Sequence, residues 1–150
     1  MNVDIVSPEQ VLWQGEGDMV VARTIEGGEI AFLAGHEPFL GALAIAPLRV
    51  ILPQSGEIAV AVHGGFVEVA NDKVIVLSDV AELPEQIDAE RAAAAKARAE
   101  EVLANEPENP EALQALQRAD LRLAVSAGEL VPASDRIDRA VSTAIGGEDH

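Results

Sequence analysis

Four arginines stand out in a chain that should otherwise repel anions. Asp88, Arg91 and Arg98 are spaced three and seven residues apart, so a helix would carry them on one face. Arg118 and Arg122, four apart, would share a face of a second helix. Together they are four of only ten basic residues in a chain of formal net charge −16. If the two helices pair antiparallel, the guanidinium groups could converge on one anion, and their planar donor forks suit bidentate contact with a phosphate. The same spacing also fits ordinary surface charge, with Asp88–Arg91 and Arg118 beside Asp120 solvated on exposed helix faces.

No other chemistry is written as plainly. Of the three histidines, His150 is last in the sequence, and His36 and His63 stand near predicted turns. None has the spacing of a metal-binding motif, so no metal site is expected. Gly27-Gly28 and Gly64-Gly65 lack the lysine and the strand-to-helix setting of a phosphate loop. Carboxylate pairs such as Glu26/Glu29 carry little weight where acids are this abundant. No catalytic residues are assigned, and nothing requires autonomous catalysis.

The elements that position the arginines begin at Val80–Arg98 (VAELPEQIDAERAAAAKAR), where the chain changes character. Pro84 closes an extended region and biases Leu83 away from the helical basin. Asp88 can accept from the free N–H groups of a starting helix, and Glu90 favours its positive end. Strong helix formers predict a first helix from Ala89 to about Ala104, stopped at Asn105-Glu106-Pro107. Asn109-Pro110 is an N-cap followed by proline at the first helical position, and Gly128 is a C-terminal stop for a second helix ending at Ala127. The short connection forces the helices antiparallel. The expected apolar stripes are Ala92, Ala95, Ala99, Val102 and Leu103 on the first, and Leu113, Leu116, Ala119, Leu123 and Ala127 on the second. With so few large side chains, the hairpin is marginal alone and needs docking against the rest of the chain or a partner.

Upstream, about nine short strands at close spacing predict an antiparallel sandwich or barrel. The strands read as separate segments on either side of Pro47 and of Gly64-Gly65, the latter marking a bulge or a close backbone approach. Asn71-Asp72 is a two-residue hairpin turn. The division is therefore residues 1–85 as a β domain, 86–130 as a helix–turn–helix, and 131–150 as a tail. The tail is either disordered or a short helix begun at Ser134-Asp135.

Composition narrows the function classes. Apolar residues make up 49% of the chain and aromatics 3%, so the core must be built from Val, Ile, Leu and Ala. Net charge is −10 over residues 1–86 and −6 over 87–150. So acidic a chain repels phosphate backbones and anionic lipid, which argues against nucleic-acid binding. There is no cysteine, which removes thiol chemistry. No signal peptide is expected, because Asp4 interrupts the start, and the apolar run Ala42–Leu52 is too short for a bilayer span.

Ile5-Val6-Ser7-Pro8-Glu9 with Gly15-Glu16, Glu26-Gly27-Gly28-Glu29, Gly35-His36-Glu37-Pro38-Phe39-Leu40 and Gly64-Gly65-Phe66-Val67-Glu68-Val69 occur in one order. Asp72-Lys73-Val74, Ala81–Ala92, and Arg118-Ala119 through Arg122-Leu123 follow them. In this order the chain resembles the epsilon subunits of bacterial F-type ATP synthases over about residues 3–130. The resemblance implies an α+β fold, with an N-terminal flattened antiparallel β-sandwich followed by a C-terminal two-helix antiparallel hairpin. It implies a non-catalytic rotor subunit on the central stalk, coupling proton flow to ATP synthesis. The implied partners are the gamma subunit, the c-subunit ring and, through an extended hairpin that inhibits ATP hydrolysis, the alpha/beta catalytic head. The implied location is peripheral, on the cytoplasmic face of the bacterial plasma membrane, without direct bilayer insertion.

The loop around Glu29 and His36 matches the region facing the c ring, with Ala31 and Ala34 where a glycine and a proline are common. The family's ATP-sensing motif matches Ile87-Asp88-Ala89-Glu90-Arg91-Ala92, and its further ATP contacts match Glu82, Arg98, Arg118 and Arg122. No cofactor is required; ATP would be a regulatory ligand. The rival readings are an independent ATP-binding sensor and a small sandwich enzyme or carbohydrate binder. The single Trp and absent Tyr weigh against a sugar-binding face.

Overall fold

A computed structural model describes residues 1–128. The tail 131–150, together with the last two residues of the expected hairpin segment, lies outside the described residues. Eight strands precede two helices: β1 (Asn2–Val6), β2 (Val11–Glu16), β3 (Met19–Thr24), β4 (Gly28–Leu33), β5 (Phe39–Ile51), β6 (Glu57–Ala70), β7 (Lys73–Leu77) and β8 (Ala81–Glu82). A single 3₁₀ turn, Pro84–Gln86, leads to α1 (Ala89–Asn105) and α2 (Pro110–Ala127).

The strands run in the order β2-β1-β7-β6-β5-β3-β4, with β8 paired to β6. Val3 and Ile5 from one end of this path and Val20 and Phe32 from the other enter one buried core with Leu48, Val60, Val67 and Val76. The path therefore folds over on itself, which makes the expected β-sandwich. All pairings are antiparallel except β1–β7, which is parallel because β1, paired on one side with β2, lies on its other side beside the second strand of the β6–β7 hairpin.

There are fewer strands than expected, because two interruptions in the sequence do not interrupt the ladder. Pro47 lies inside β5, opposite Ala61, in the interval where the β3–β5 register is broken between Val21 and Thr24. A proline is tolerated where no ladder donor is needed. Gly64 and Gly65 lie inside β6, where that strand exchanges its partner β8 for β7. The β5–β6 register stays constant through them. Of the two expectations, the close approach holds: a Cβ on Gly65 would stand 2.3 Å from the Leu77 carbonyl oxygen, and the Ser78 hydroxyl donates to Gly64 O at 2.7 Å. Asn71 and Asp72 both have positive φ (52° and 58°), as the two-residue turn between β6 and β7 requires.

The helices start and stop as their caps dictate. Arg91 N–H donates to Asp88 Oδ1 at 3.1 Å, Ala112 N–H donates to Asn109 Oδ1 at 3.0 Å, and Gly128 takes the left-handed conformation at φ 67°. Their packing differs from the expected stripes. The residues buried on α2 are Ala112, Ala119, Leu121 and Val125, whereas Leu113 is 47% exposed and Val102 on α1 is 40% exposed. The reason is that α2 serves two neighbours. It lies along α1, where Ala112 lines a shared hollow with Ala95 and Ala99, and it offers Leu121 and Val125 to Ala61 of β6. Ile45 and Ile87 complete the second contact. The hairpin is thus docked on the sandwich through α2.

Candidate functional site

The junction between hairpin and sandwich encloses a cleft of about 390 Å³ lined by Glu82, Gln86, Asp88, Arg91, Ala92, Ala95, Arg98 and Arg122. That volume lies within the range of small-ligand sites. Four elements meet here. The extended Glu82 ends β8, the 3₁₀ turn supplies Gln86, whose Oε1 accepts from Leu83 N–H at 2.9 Å, and the first turns of α1 supply the rest. Arg122 reaches in from α2.

The expected residues divide by position. Glu82, Asp88, Arg91, Ala92, Arg98 and Arg122 line one cleft. Ile87 does not; it packs with Ala61, Leu121 and Val125 and anchors the turn between β8 and α1. Arg118 lies one turn before Arg122, outside the cleft lining, and is exposed.

Among the described residues, only Arg122 of these arginines is neutralised, by Glu82. Arg91, Arg98 and Arg118 form no ion pair with a described residue, and Asp120 pairs with Lys96 across the helices at 3.0 Å rather than with Arg118. Asp88 spends one oxygen on the helix cap. In a strongly acidic chain, two uncompensated guanidinium groups in one cleft, with the start of α1 beside them, favour an anion.

Glu82 is fixed from two sides. Its Oε1 accepts from Arg122 Nε at 2.8 Å and bonds His63 Nε2 at 2.8 Å. His63 lies inside β6 rather than at a turn, and its side chain is buried. Burial holds its imidazole below the usual histidine range, with Arg122 and Arg118 pushing the same way, against the opposing pull of Glu82. The neutral ring donates from Nε2, which leaves Nδ1 buried without a partner among the described residues. Sequence reasoning missed His63 because Gly64-Gly65 read as the end of a strand. The available signal was the alternation through Glu57–His63, which puts His63 on the face of Ala61.

Glu29 and His36 do not share a loop. Glu29 is within β4, opposite Arg23 and 3.8 Å from its guanidinium, whereas His36 follows β4. Only the steps from Glu29 to Leu33 are strand; His36 N–H then donates to Leu33 O at 3.0 Å and closes a turn. His36 sits edge-on to Phe32, with ring centroids 5.0 Å apart, and Gly35 N–H donates to Asp72 Oδ1 at 3.2 Å. That loop is tied to the β6–β7 turn.

Residues 1–84 match the family model of the ATP synthase delta/epsilon chain β-sandwich domain. The ATP synthase epsilon chain of Shouchella clausii is 43% identical over 127 residues, covering 84% of this chain and 94% of that one. The chain belongs to the epsilon-chain family of ATP synthases. The epsilon chain of Brevibacillus brevis is 46% identical over 103 residues, or 69% of this chain and 77% of that one. The epsilon chain of Thermobifida fusca is 50% identical over 101 residues, covering 65% and 73%. Among solved structures, a chain of the Euglena gracilis mitochondrial ATP synthase (OSCP/F1/c-ring, rotational state 1) aligns with a TM-score of 0.67 at 24% identity, over 79% of this chain and 76% of that one. This last likeness concerns the fold. Family membership makes the chain a subunit of an ATP synthase. Among the described residues, no helix is long and apolar enough to cross a membrane.

Proposed function

We propose that this epsilon-family chain is a non-catalytic rotor subunit on the central stalk of a proton-translocating ATP synthase, with its hairpin as a brake on ATP hydrolysis and ATP as the ligand that keeps the brake folded away. The observation that carries this reading is the arginine-lined cleft where the docked hairpin meets the sandwich. A nucleotide there touches β8, the 3₁₀ turn and both helices at once, a set of contacts that exists only while the hairpin is docked. Such a ligand favours the docked state by its difference in affinity between the two states, and by nothing else.

The sandwich supplies the anchor. Leu40, Ala42, Phe66 and Leu77 are cross-strand or next-but-one neighbours on one outward face of β5, β6 and β7. Leu40 is 72% exposed and Phe66 56%, and Ile25 at 67% borders the same hollow. Contiguous exposed apolar surface of this kind is suited to a partner protein, here the gamma subunit. The c-subunit ring takes the acid-bearing β4 edge and the His36 loop, which places the chain peripherally at the cytoplasmic face of the bacterial plasma membrane.

The test is ATP hydrolysis by a catalytic head depleted of its epsilon subunit, titrated with the full chain and with a truncation after Glu85. Suppression by the full chain and binding without suppression by the truncation are expected. If both bind and neither suppresses, the brake is lost from the account. If neither binds, the stalk reading fails.

A further inference from the structure

Beside the apolar contact of Leu121 and Val125 with Ala61, a polar cluster beneath α2 ties the two modules through one oxygen atom. His63 belongs to β6, Glu82 to β8 and Arg122 to α2, and both hydrogen bonds from the outer members fall on Glu82 Oε1. We propose that His63, Glu82 and Arg122 form a proton-sensitive latch, which holds the hairpin on the sandwich while His63 is neutral and releases it when His63 takes up a proton.

The docked state has no place for that proton. It would enter at Nδ1, which is buried and faces no acceptor among the described residues. The new charge would stand with Arg122 and Arg118 of α2 on one side and only Glu82 of β8 on the other. Glu82 already shares its Oε1 with Arg122, so one carboxylate would serve two cations. A buried imidazolium costs more than a hydrated one unless paired and hydrogen-bonded at both nitrogens.

The undocked state accepts the proton freely. Ala61 and His63 share a face of β6, because side chains alternate along a strand. Ala61 is fully buried against Leu121 and Val125, and Ile45, the cross-strand neighbour of His63, packs on the same cluster. Lifting α2 therefore exposes His63 to water and returns it to ordinary imidazole behaviour. The sign follows. A histidine held below its usual range when docked contributes docking free energy that is fully present above the undocked pKa. That contribution declines as pH falls from there through the lowered docked value.

The cysteine-free chain accepts a donor–acceptor dye pair through Gln54→Cys and Glu108→Cys, both in exposed loops. Energy transfer in the full chain, without nucleotide and at fixed ionic strength, is followed from about pH 7.5 to about pH 5.5, the interval of histidine titration. The docking constant is expected to fall with acid by up to about tenfold per pH unit below about 6.5, and to stay flat in His63→Gln, which keeps a neutral donor and does not titrate. Parallel loss in both proteins, or constant transfer in the unsubstituted chain, overturns the latch. If His63→Gln fails to fold, the unsubstituted chain decides by NMR. The His63 ring resonances and the backbone amides of Leu121 and Arg122 must titrate together; a His63 transition that leaves α2 unmoved overturns the proposal. Because no nucleotide is present, either failure leaves the ATP reading to its own test.

Discussion

Arg122 Nε donates to Glu82 Oε1 at 2.8 Å across 40 residues of sequence, a polar tie from the second helix to the last strand. Both side chains are partly exposed, at 31% and 23%, so water screens the pair and its contribution lies near the low end for a charge-assisted hydrogen bond, about 1–1.5 kcal/mol. Arg122→Ala is therefore expected to loosen the hairpin without unfolding the sandwich. Hydrogen exchange checks this: α2 amides should lose protection by roughly tenfold, as about 1.4 kcal/mol implies, while β3 and β5 keep theirs.

The apolar half of the same contact is Leu121 against Ala61. Leu121→Ala should cost about 2–3 kcal/mol, felt mainly as weaker docking. Phe32→Ala, by contrast, empties the centre of the sandwich core and should lower global stability by about 3–5 kcal/mol. Urea unfolding monitored separately at the hairpin and at Trp13 distinguishes them. Equal shifts at both probes for Leu121→Ala would mean that the two modules unfold as one.

At Gly65 the backbone leaves no room for a side chain. With φ of 120° and the Leu77 carbonyl 2.3 Å from the position of a Cβ, Gly65→Ala combines strain with a backbone clash. A loss of roughly 3 kcal/mol or more is expected in urea unfolding. Gly56, in the β5–β6 turn with open space around it, should lose less on the same substitution, from its positive φ alone.

Asp88 has two roles that substitution can separate. Asp88→Ala removes the cap of α1 and should cost about 1 kcal/mol of helix stability, whereas Asp88→Asn keeps a capping oxygen and should cost only a few tenths. If the carboxylate also serves a nucleotide, both variants bind ATP differently from the unsubstituted chain. If it serves only the cap, Asp88→Asn binds ATP unchanged.

The helical half was legible almost residue by residue, because its signals are local: Asp88 and Asn109 as caps, Pro110 at the first position and Gly128 at the end each act within a turn. What escaped was which face of α2 would be buried. Leu121 and Val125 look like a minor stripe until β6 lies beneath them. The strands divided similarly. The Asn71-Asp72 hairpin follows from its own two residues, but the continuity of β5 through Pro47 depends on a register break with β3, which is non-local. Arg49 gave no local sign of being buried beside Glu57, at 2.6 Å. At the cleft, the arginine spacing and the family motif together led to six of the eight expected residues. Ile87 packs against Leu121 and Val125, Arg118 stands outside the lining, and His63 was hidden by the glycines that follow it.

The most direct test of the nucleotide cleft is a calorimetric titration of ATP into the full chain, with Arg91→Ala and Arg98→Ala in parallel. Both arginines are exposed and unpaired within the described chain, so neither substitution should disturb the circular dichroism spectrum. The cleft predicts saturable binding by the unsubstituted chain, weakened by about tenfold or more in each variant, as loss of a charge-assisted contact to phosphate implies. Absence of binding at millimolar ATP, or equal affinity in all three proteins, would contradict it.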